Sequence, residues 1–396
     1  MTEIGLLLAA RGLRSTADGM ISLVLPAYLL ALGYGAVETG LIATATLAGS
    51  AVLTLAVGLY AHRTDGRSLL MAAAVLMTFT GFAFAAFEDL WPLLLVAFVG
   101  TVNPTGGDVS VFLPLEQAQL SRLAPSARRT RLFARYSFVG SMAAAVGALG
   151  AGLPEALAVQ FGISTVGALQ GAFVVYAVVG LAVLPLYRRL PPAPAAAQRP
   201  AAPLGPSRRT VLSLAALFSL DSFAGGFVVQ SLLALWLFDR FGLSLLAAGT
   251  IFFWTGLLSA FSYFVAARLA ERIGLINTMV FTHLPANLCL ALVPFAGQLW
   301  LAIALLMARS ALSQMDVPAR TSYVMSVVTP AERPAAASLT AVPRSLAAAA
   351  SPALAGSLLA VSGFGWPLVI AGGLKIVYDL LLLALFRHRP PLPDTD

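Results

Sequence analysis

Apolar residues fall along this chain in runs of about 20, broken by short polar or basic stretches. Such runs appear at roughly 4–33, 37–60, 68–87, 91–120, 132–153 and 165–187. After an interval they resume at 210–238, 244–267, 276–296, 298–326, 337–360 and 366–386. None alternates with the period of a half-buried strand, and each is long enough to cross the roughly 30 Å hydrocarbon core of a bilayer as a helix. The pattern therefore predicts an all-α polytopic membrane protein with 12 transmembrane helices. The interval reads RRLPPAPAAAQRPAAPLGPSRR from Arg188 to Arg209, rich in Pro and Ala with basic ends, and has the composition of a linker. It divides the chain into an N-terminal six-helix bundle at 1–187, a linker at 188–209 and a C-terminal six-helix bundle at 210–396.

Composition supports this solvent assignment. Of 396 residues, 59% are hydrophobic and 10% are charged, too few to wet the surface of a soluble chain of this size. The net charge of +7 would suggest nucleic acid in a soluble protein. Here the basic residues are nearly all Arg, with Lys375 the one Lys, and they collect in alternate loops. Arg63 and Arg67, Arg122 to Arg131, the linker arginines, Arg268 and Arg272, Arg333, and Arg387 with Arg389 share one side. The other side holds Arg240 beside Asp239, with Glu38, Glu88, Asp89 and Glu155. The positive-inside rule makes the Arg-rich side cytoplasmic. Both termini then face the cytoplasm across a bacterial-type inner membrane, and the number of spans is even. The opening Met-Thr-Glu lacks a basic n-region, and Arg11, Arg14 and Asp18 interrupt the apolar run behind it, so the first helix is read as retained.

The halves echo one another at an offset of 209: Gly40 with Gly249, Ala61 with Ala270, Arg63 with Arg272, Leu90–Trp91 with Leu299–Trp300, and Arg135 with Arg344. Asp108–Val109 and Asp316–Val317 match at 208. A shared offset across Gly, Trp and Arg points to a duplicated, pseudo-symmetric six-helix unit.

Two loops carry a signature. Gly58 to Ser68 reads GLYAHRTDGRS, and Ala267 to Asn277 reads ARLAERIGLIN. Both resemble the Gly-x-Leu-Ala-Asp-Arg-x-Gly-Arg motif that major facilitator superfamily proteins carry between helices 2–3 and 8–9. Leu269, Ala270, Glu271, Arg272 and Gly274 keep the second copy in register. In the first, His62 stands where the motif has Asp, and Asp65–Gly66 are displaced by one. The segment Leu25-Pro26-Ala27-Tyr28 followed by Gly33 is similar to drug-antiporter-like members, although the Gly-Pro-x-x-Gly-Gly run of proton-coupled drug antiporters is missing from the fifth helix. The resemblance implies a secondary active transporter working by alternating access, with helices 1, 4, 7 and 10 lining a central cavity. The expected mode is proton-coupled efflux of a small organic or drug-like solute; the alternative is an importer or facilitated carrier of a small anion.

Those four helices hold most of the intramembrane charge. An ionisable side chain at mid-helix costs at least ~2.5 kcal/mol, so it is kept facing protein or water. Asp18, Asp108, Asp221 and Asp316 lie about 22–26 Å from the outer ends, counted at the rise of an unbroken helix. Two readings stay open for them: pairing with arginines at a cytoplasmic gate, or binding the coupling proton. Gate candidates are Arg14, Arg63, Asp65, Arg135, Glu271, Arg272, Arg320 and Arg344. Arg309 falls about 14 Å in from Trp300, near the midplane, and joins Asp18, Asp108, Asp221 and Asp316 as a cavity candidate. Lys375 and Asp379, four apart, are read as neutralising each other. Asn103, Gln230, Tyr28 and Trp236 could shape a pocket. The three histidines lack ligand spacing and Cys289 is alone, so no metal site, cofactor or disulfide is expected. No phosphate-binding loop is present. The chain is expected to be a monomer, not an enzyme, whose partners are a small-molecule substrate, protons and the lipid bilayer.

Overall fold

A computed structural model describes residues 2–60, 64–106, 110–123, 126–192, 205, 207–329 and 332–387. All regular structure among them is helical: α1 (Glu3–Ala31), α2 (Ala36–Tyr60), α3 (Gly66–Ala86), α4 (Leu90–Val99), α5 (Phe112–Leu123), α6 (Ser126–Gly150), α7 (Leu153–Phe161), α8 (Thr165–Arg188), α9 (Arg208–Gly226), α10 (Gln230–Phe241), α11 (Leu245–Ile273), α12 (Leu275–Leu292), a 3-10 turn at Val293–Phe295, α13 (Leu299–Leu312), α14 (Asp316–Ser326), α15 (Arg333–Ala350), α16 (Pro352–Val361) and α17 (Trp366–Phe386).

Nine stretches among the described residues are long and apolar enough to cross a membrane. The expected first, fourth and tenth spans are not among them. The first carries Glu3, Arg11, Arg14 and Asp18, and the other two are interrupted. Continuous helices were expected over 91–120, 210–238, 298–326 and 337–360; each is two helices. In the fourth, Pro104 disfavours helix at Asn103, and the Asn103 side chain accepts from Thr105 N at 3.0 Å in a local turn that replaces helical bonding. Gly106 then takes φ +62. In the tenth, Pro318 has no N–H to bond back to Gln314, and the chain turns through Ser313–Met315. Gly225–Gly226 end α9, and Pro352 separates α15 from α16. The fifth, expected at 132–153, starts earlier at Ser126 and gains α7 beyond Gly152. Depths counted along an unbroken helix therefore hold for Asp18 and Arg309 but not for Asp108, Asp221 or Asp316.

The chain forms two compact units. Unit 1 comprises 1–197, 229–257 and 352–363; unit 2 comprises 198–228, 258–351 and 364–396. In unit 1, α1 packs on α6 and α8, and α3 on α8. A Cβ at Gly19 would overlap the backbone of Ala144, and one at Gly147 the backbone of Thr16. Without a hydrophobic force in lipid, such backbone proximity is what holds spans together. Unit 1 also takes in the Arg-poor ends of second-half helices. Gly40 of α2 meets Gly356 of α16 backbone to backbone, Thr44 accepts from Ala353 N at 3.0 Å, Glu155 from Leu245 N at 3.1 Å, and the Gly363 carbonyl from Trp236 Nε1 at 3.2 Å.

Unit 2 packs α9 against α15 and α17, and α12 against α17, α13 and α14. Its core includes Val211, Leu214, Phe218, Met279, Tyr323, Tyr378 and Phe386.

Candidate functional site

Buried charge is organised differently in the two units. In unit 1, the Arg14 guanidinium meets the Glu116 carboxylate at 2.5 Å, with side chains 1% and 0% exposed. Tyr187 donates to Glu116 Oε1 at 2.6 Å and accepts from Arg14 Nε at 3.0 Å. Tyr136 donates to Glu116 Oε2, and Arg14 lies 3.9 Å over the Phe112 ring. Four helices, α1, α5, α6 and α8, thus close around one ion pair whose oxygens are all engaged. Arg14, expected at a gate, is locked inside this bundle. Asp18, one turn along α1, is 7% exposed and lies beside Arg14, Arg11 and Tyr176. Tyr176 donates to the Thr101 carbonyl at 2.8 Å, where α4 has ended.

Unit 2 holds a chain rather than a pair. Asp221 of α9 accepts from Lys375 of α17 at 2.5 Å and from Arg320 of α14 at 3.0 Å. Arg320 also pairs with Asp316, one turn back, and lies 5.2 Å over the Phe218 ring. His283 of α12 places Nε2 4.0 Å from Asp221 and Nδ1 2.9 Å from Asp379. Asn287 donates to the other oxygen of Asp379 at 2.9 Å. Lys375 and Asp379 were expected to neutralise each other. Instead Lys375 turns to Asp221 and Asp379 to His283, because α9 and α12 flank α17 and offer each a partner. The chain thus sets three carboxylates against two permanent cations and one imidazole.

A third cluster, neutral and in unit 1, forms where two interrupted segments meet. Gln230 opens α10 and donates to Ser22 Oγ of α1 at 2.9 Å. Pro104 O accepts from Ser231 N at 3.0 Å, and a Cβ at Gly106 would collide with the Gln230 amide. Asn103 and Thr105 complete it. Asn103 and Gln230 are thereby brought together. Tyr28 is anchored elsewhere, to the Phe87 carbonyl at 2.8 Å, and Trp236 to Gly363.

The remaining candidates scatter. Arg344 donates to Ser222 Oγ at 3.1 Å within unit 2. Arg135 is exposed on α6, as are Glu271 and Arg272 at the end of α11. Asp65 caps α3, accepting from Arg67 N at 3.3 Å. Arg63 and Asp108 lie outside the described residues. Arg309 stands apart on α13, half-buried, its Nε without a hydrogen-bond partner. The sequence reading missed Tyr136, Tyr187, His283 and Asn287. Each sits outside the four helices expected to line the cavity, and only its polarity within an apolar run marked it. Among the described residues no cluster of His, Cys, Asp and Glu could hold a metal.

Paired helix interruptions and charges buried within protein are the anatomy of a membrane carrier, and sequence comparison decides the family. The Major Facilitator Superfamily profile matches residues 7–313 and 222–396. The chain belongs to the major facilitator superfamily. Like other superfamily members it is a multi-pass membrane protein with the fold of a small-molecule transporter. It is 25% identical over 421 residues to an uncharacterised membrane protein of Saccharomyces cerevisiae, YJR124C, covering 97% of this chain and 94% of that one. Among solved structures, the nucleoside transporter NupG superposes with a TM-score of 0.73 at 14% identity, covering 98% of this chain and all of that one. The inward-open xylose transporter XylE of E. coli gives 0.73 at 13%, covering 99% and 98%. These likenesses fix the superfamily fold.

Proposed function

We propose that this chain is a secondary active transporter that moves a small organic solute by alternating access, in exchange for protons. The moving bodies are the sequence halves 1–187 and 210–396, joined by the linker 188–209, with both termini and the linker in the cytoplasm. Efflux is the favoured direction, resting on the drug-antiporter-like Leu25-Pro26-Ala27-Tyr28 stretch.

The observation that carries proton coupling is the unit 2 chain. Buried charges are tolerated when paired and become costly when one partner is lost. Asp221 is shared by Lys375 and Arg320, and the imidazole of His283 reaches from Asp221 to Asp379. A proton arriving at Asp221 or Asp316 frees a cation to re-pair along the chain. The packing of α9, α14 and α17 then responds to proton occupancy, which is the coupling that exchange requires. The neutral cluster of Ser22, Asn103, Thr105 and Gln230, at the interruptions of two segments, is the corresponding place for the polar groups of a solute.

The test is flux in proteoliposomes under an imposed pH gradient, using a solute selected by thermal stabilisation of the purified protein. Asp221→Asn should abolish gradient-driven flux while leaving counterflow of that solute. Undiminished gradient-driven flux in this variant would remove the chain from the mechanism.

A further inference from the structure

Among the described residues, Arg309 on α13 of unit 2 has no carboxylate within salt-bridge distance. The buried aspartates of unit 2 are spoken for: Asp316 by Arg320, Asp221 by Arg320 and Lys375, Asp379 by His283 and Asn287. Its Nε is buried without a hydrogen-bond partner. The residue as a whole is only half-buried, at the border of the face of α13 that Ala302, Leu306 and Ser310 bury and the face that Ala304 and Ala308 leave open. A guanidinium in this position has lost part of its water and gained no counter-charge, a situation a protein keeps where an anion arrives from outside.

Its surroundings are built to receive one. Arg309 stands in the last turn of α13, and its carbonyl accepts from Ser313 N at 2.8 Å, so Arg309 and Ser313 share a face at the interruption of the tenth segment. Gln314 follows. Tyr263 of α11 donates to Gln314 Oε1 at 3.1 Å, which fixes the amide and leaves its NH₂ to donate. Ser259 donates to the Ser310 carbonyl at 3.2 Å and holds α13 against α11. Guanidinium, hydroxyl and amide N–H thus offer donors and no acid. At about 15 Å along α13 from Leu299 the group is too deep for a lipid headgroup.

We propose that Arg309, with Ser313 and Gln314, binds the anionic group of the transported solute, which is therefore an organic carboxylate, phosphate or sulfonate. This rests on the carrier reading above and narrows its substrate class. A planar guanidinium pairs with such groups through two parallel hydrogen bonds, which an ammonium cannot reproduce.

The experiment is thermal stability of the purified full chain with benzoate, phenyl phosphate and benzenesulfonate, each set against benzamide and benzyl alcohol at ionic strength matched with chloride. At least one anion should raise the midpoint by several degrees while the neutral compounds do not. The shift should fall by more than half in Arg309→Lys and vanish in Arg309→Gln. It should weaken in Gln314→Leu, which keeps every charge. A panel without an anion-specific shift, or a shift that survives Arg309→Gln, overturns the proposal. So does an Arg309→Gln protein that fails to fold while Arg309→Lys binds the panel normally, because the arginine is then structural. If a neutral solute alone moves under a pH gradient, this inference fails and the carrier reading stands; if no solute moves, the carrier reading itself fails.

Discussion

The two units bury charge to different ends. In unit 1, Glu116 faces one arginine and two tyrosine hydroxyls, and acid and base match one to one. Loss of the Glu116 carboxylate would strand Arg14, and the bonds around it tie α1, α5, α6 and α8 together. In unit 2, three carboxylates share two permanent cations and a histidine, and every member touches a group that can re-pair. Equal burial therefore does not mean equal role. On the proposed mechanism, what separates a structural ion pair from an exchanging chain is whether the charges close on themselves.

Breaking the closed pair should have the largest effect. Glu116→Ala leaves the Arg14 guanidinium buried and unpaired, a loss of about 3–5 kcal/mol; the purified protein should lose its monodisperse peak or melt far lower. Arg14→Met combined with Glu116→Leu should recover most of that stability. Asp221→Asn should do the reverse, leaving the protein folded and monodisperse while removing gradient-driven flux. Next comes Tyr187→Phe, which deletes a hydroxyl bonded to both members of the pair and should cost about 1–3 kcal/mol, read as a lower melting midpoint with flux retained. Equal loss of stability in Asp221→Asn and Glu116→Ala would erase the distinction between the units.

The smallest effect lies outside the membrane. Glu332, between α14 and α15, accepts from Ser207 Oγ at 2.7 Å, Thr329 Oγ1 at 2.8 Å and Gly205 N at 2.6 Å. These bonds, that from Ser207 foremost, hold its carboxyl at about 2, below the ordinary 4.5. A depressed acid stabilises above its unfolded value and loses that contribution as pH falls from about 4.5 through about 2. The linker's end should stay tethered at neutral pH and loosen only in that window, whereas Glu332→Gln should loosen it at pH 7. Faster hydrogen exchange at Gly205 and Ser207 is the readout.

Much of the fold was legible because lipid imposes a simple rule: about 20 apolar residues, then a polar break. The interruptions were less so. Asn103-Pro104-Thr105-Gly106 and Pro318 carry turn and breaker signals, but a proline within a long apolar run is also compatible with a kinked, continuous helix. Ending a helix there requires the freed backbone groups to find partners such as the Asn103 side chain and Ser231 N, which sequence does not show. Burial of Arg14, Asp221, Asp316 and Arg320 was legible from hydropathy. The Asp316–Arg320 pair, four apart on one helix, was legible too; the other partners were not, because helix spacing sees only neighbours on the same helix. It paired Lys375 with Asp379 and overlooked His283 and Asn287, whereas the actual pairs cross between α9, α12, α14 and α17. Tyr136 and Tyr187 were hidden for the same reason.

The most direct test of the account is proton movement during solute exchange, followed with a pH-sensitive dye sealed inside proteoliposomes. Adding a transported solute to the wild-type protein should shift internal pH in the sense of exchange, and Asp221→Asn should give no shift while still binding the solute. Solute entry without any pH change in the wild type, or an identical change in both proteins, would contradict it.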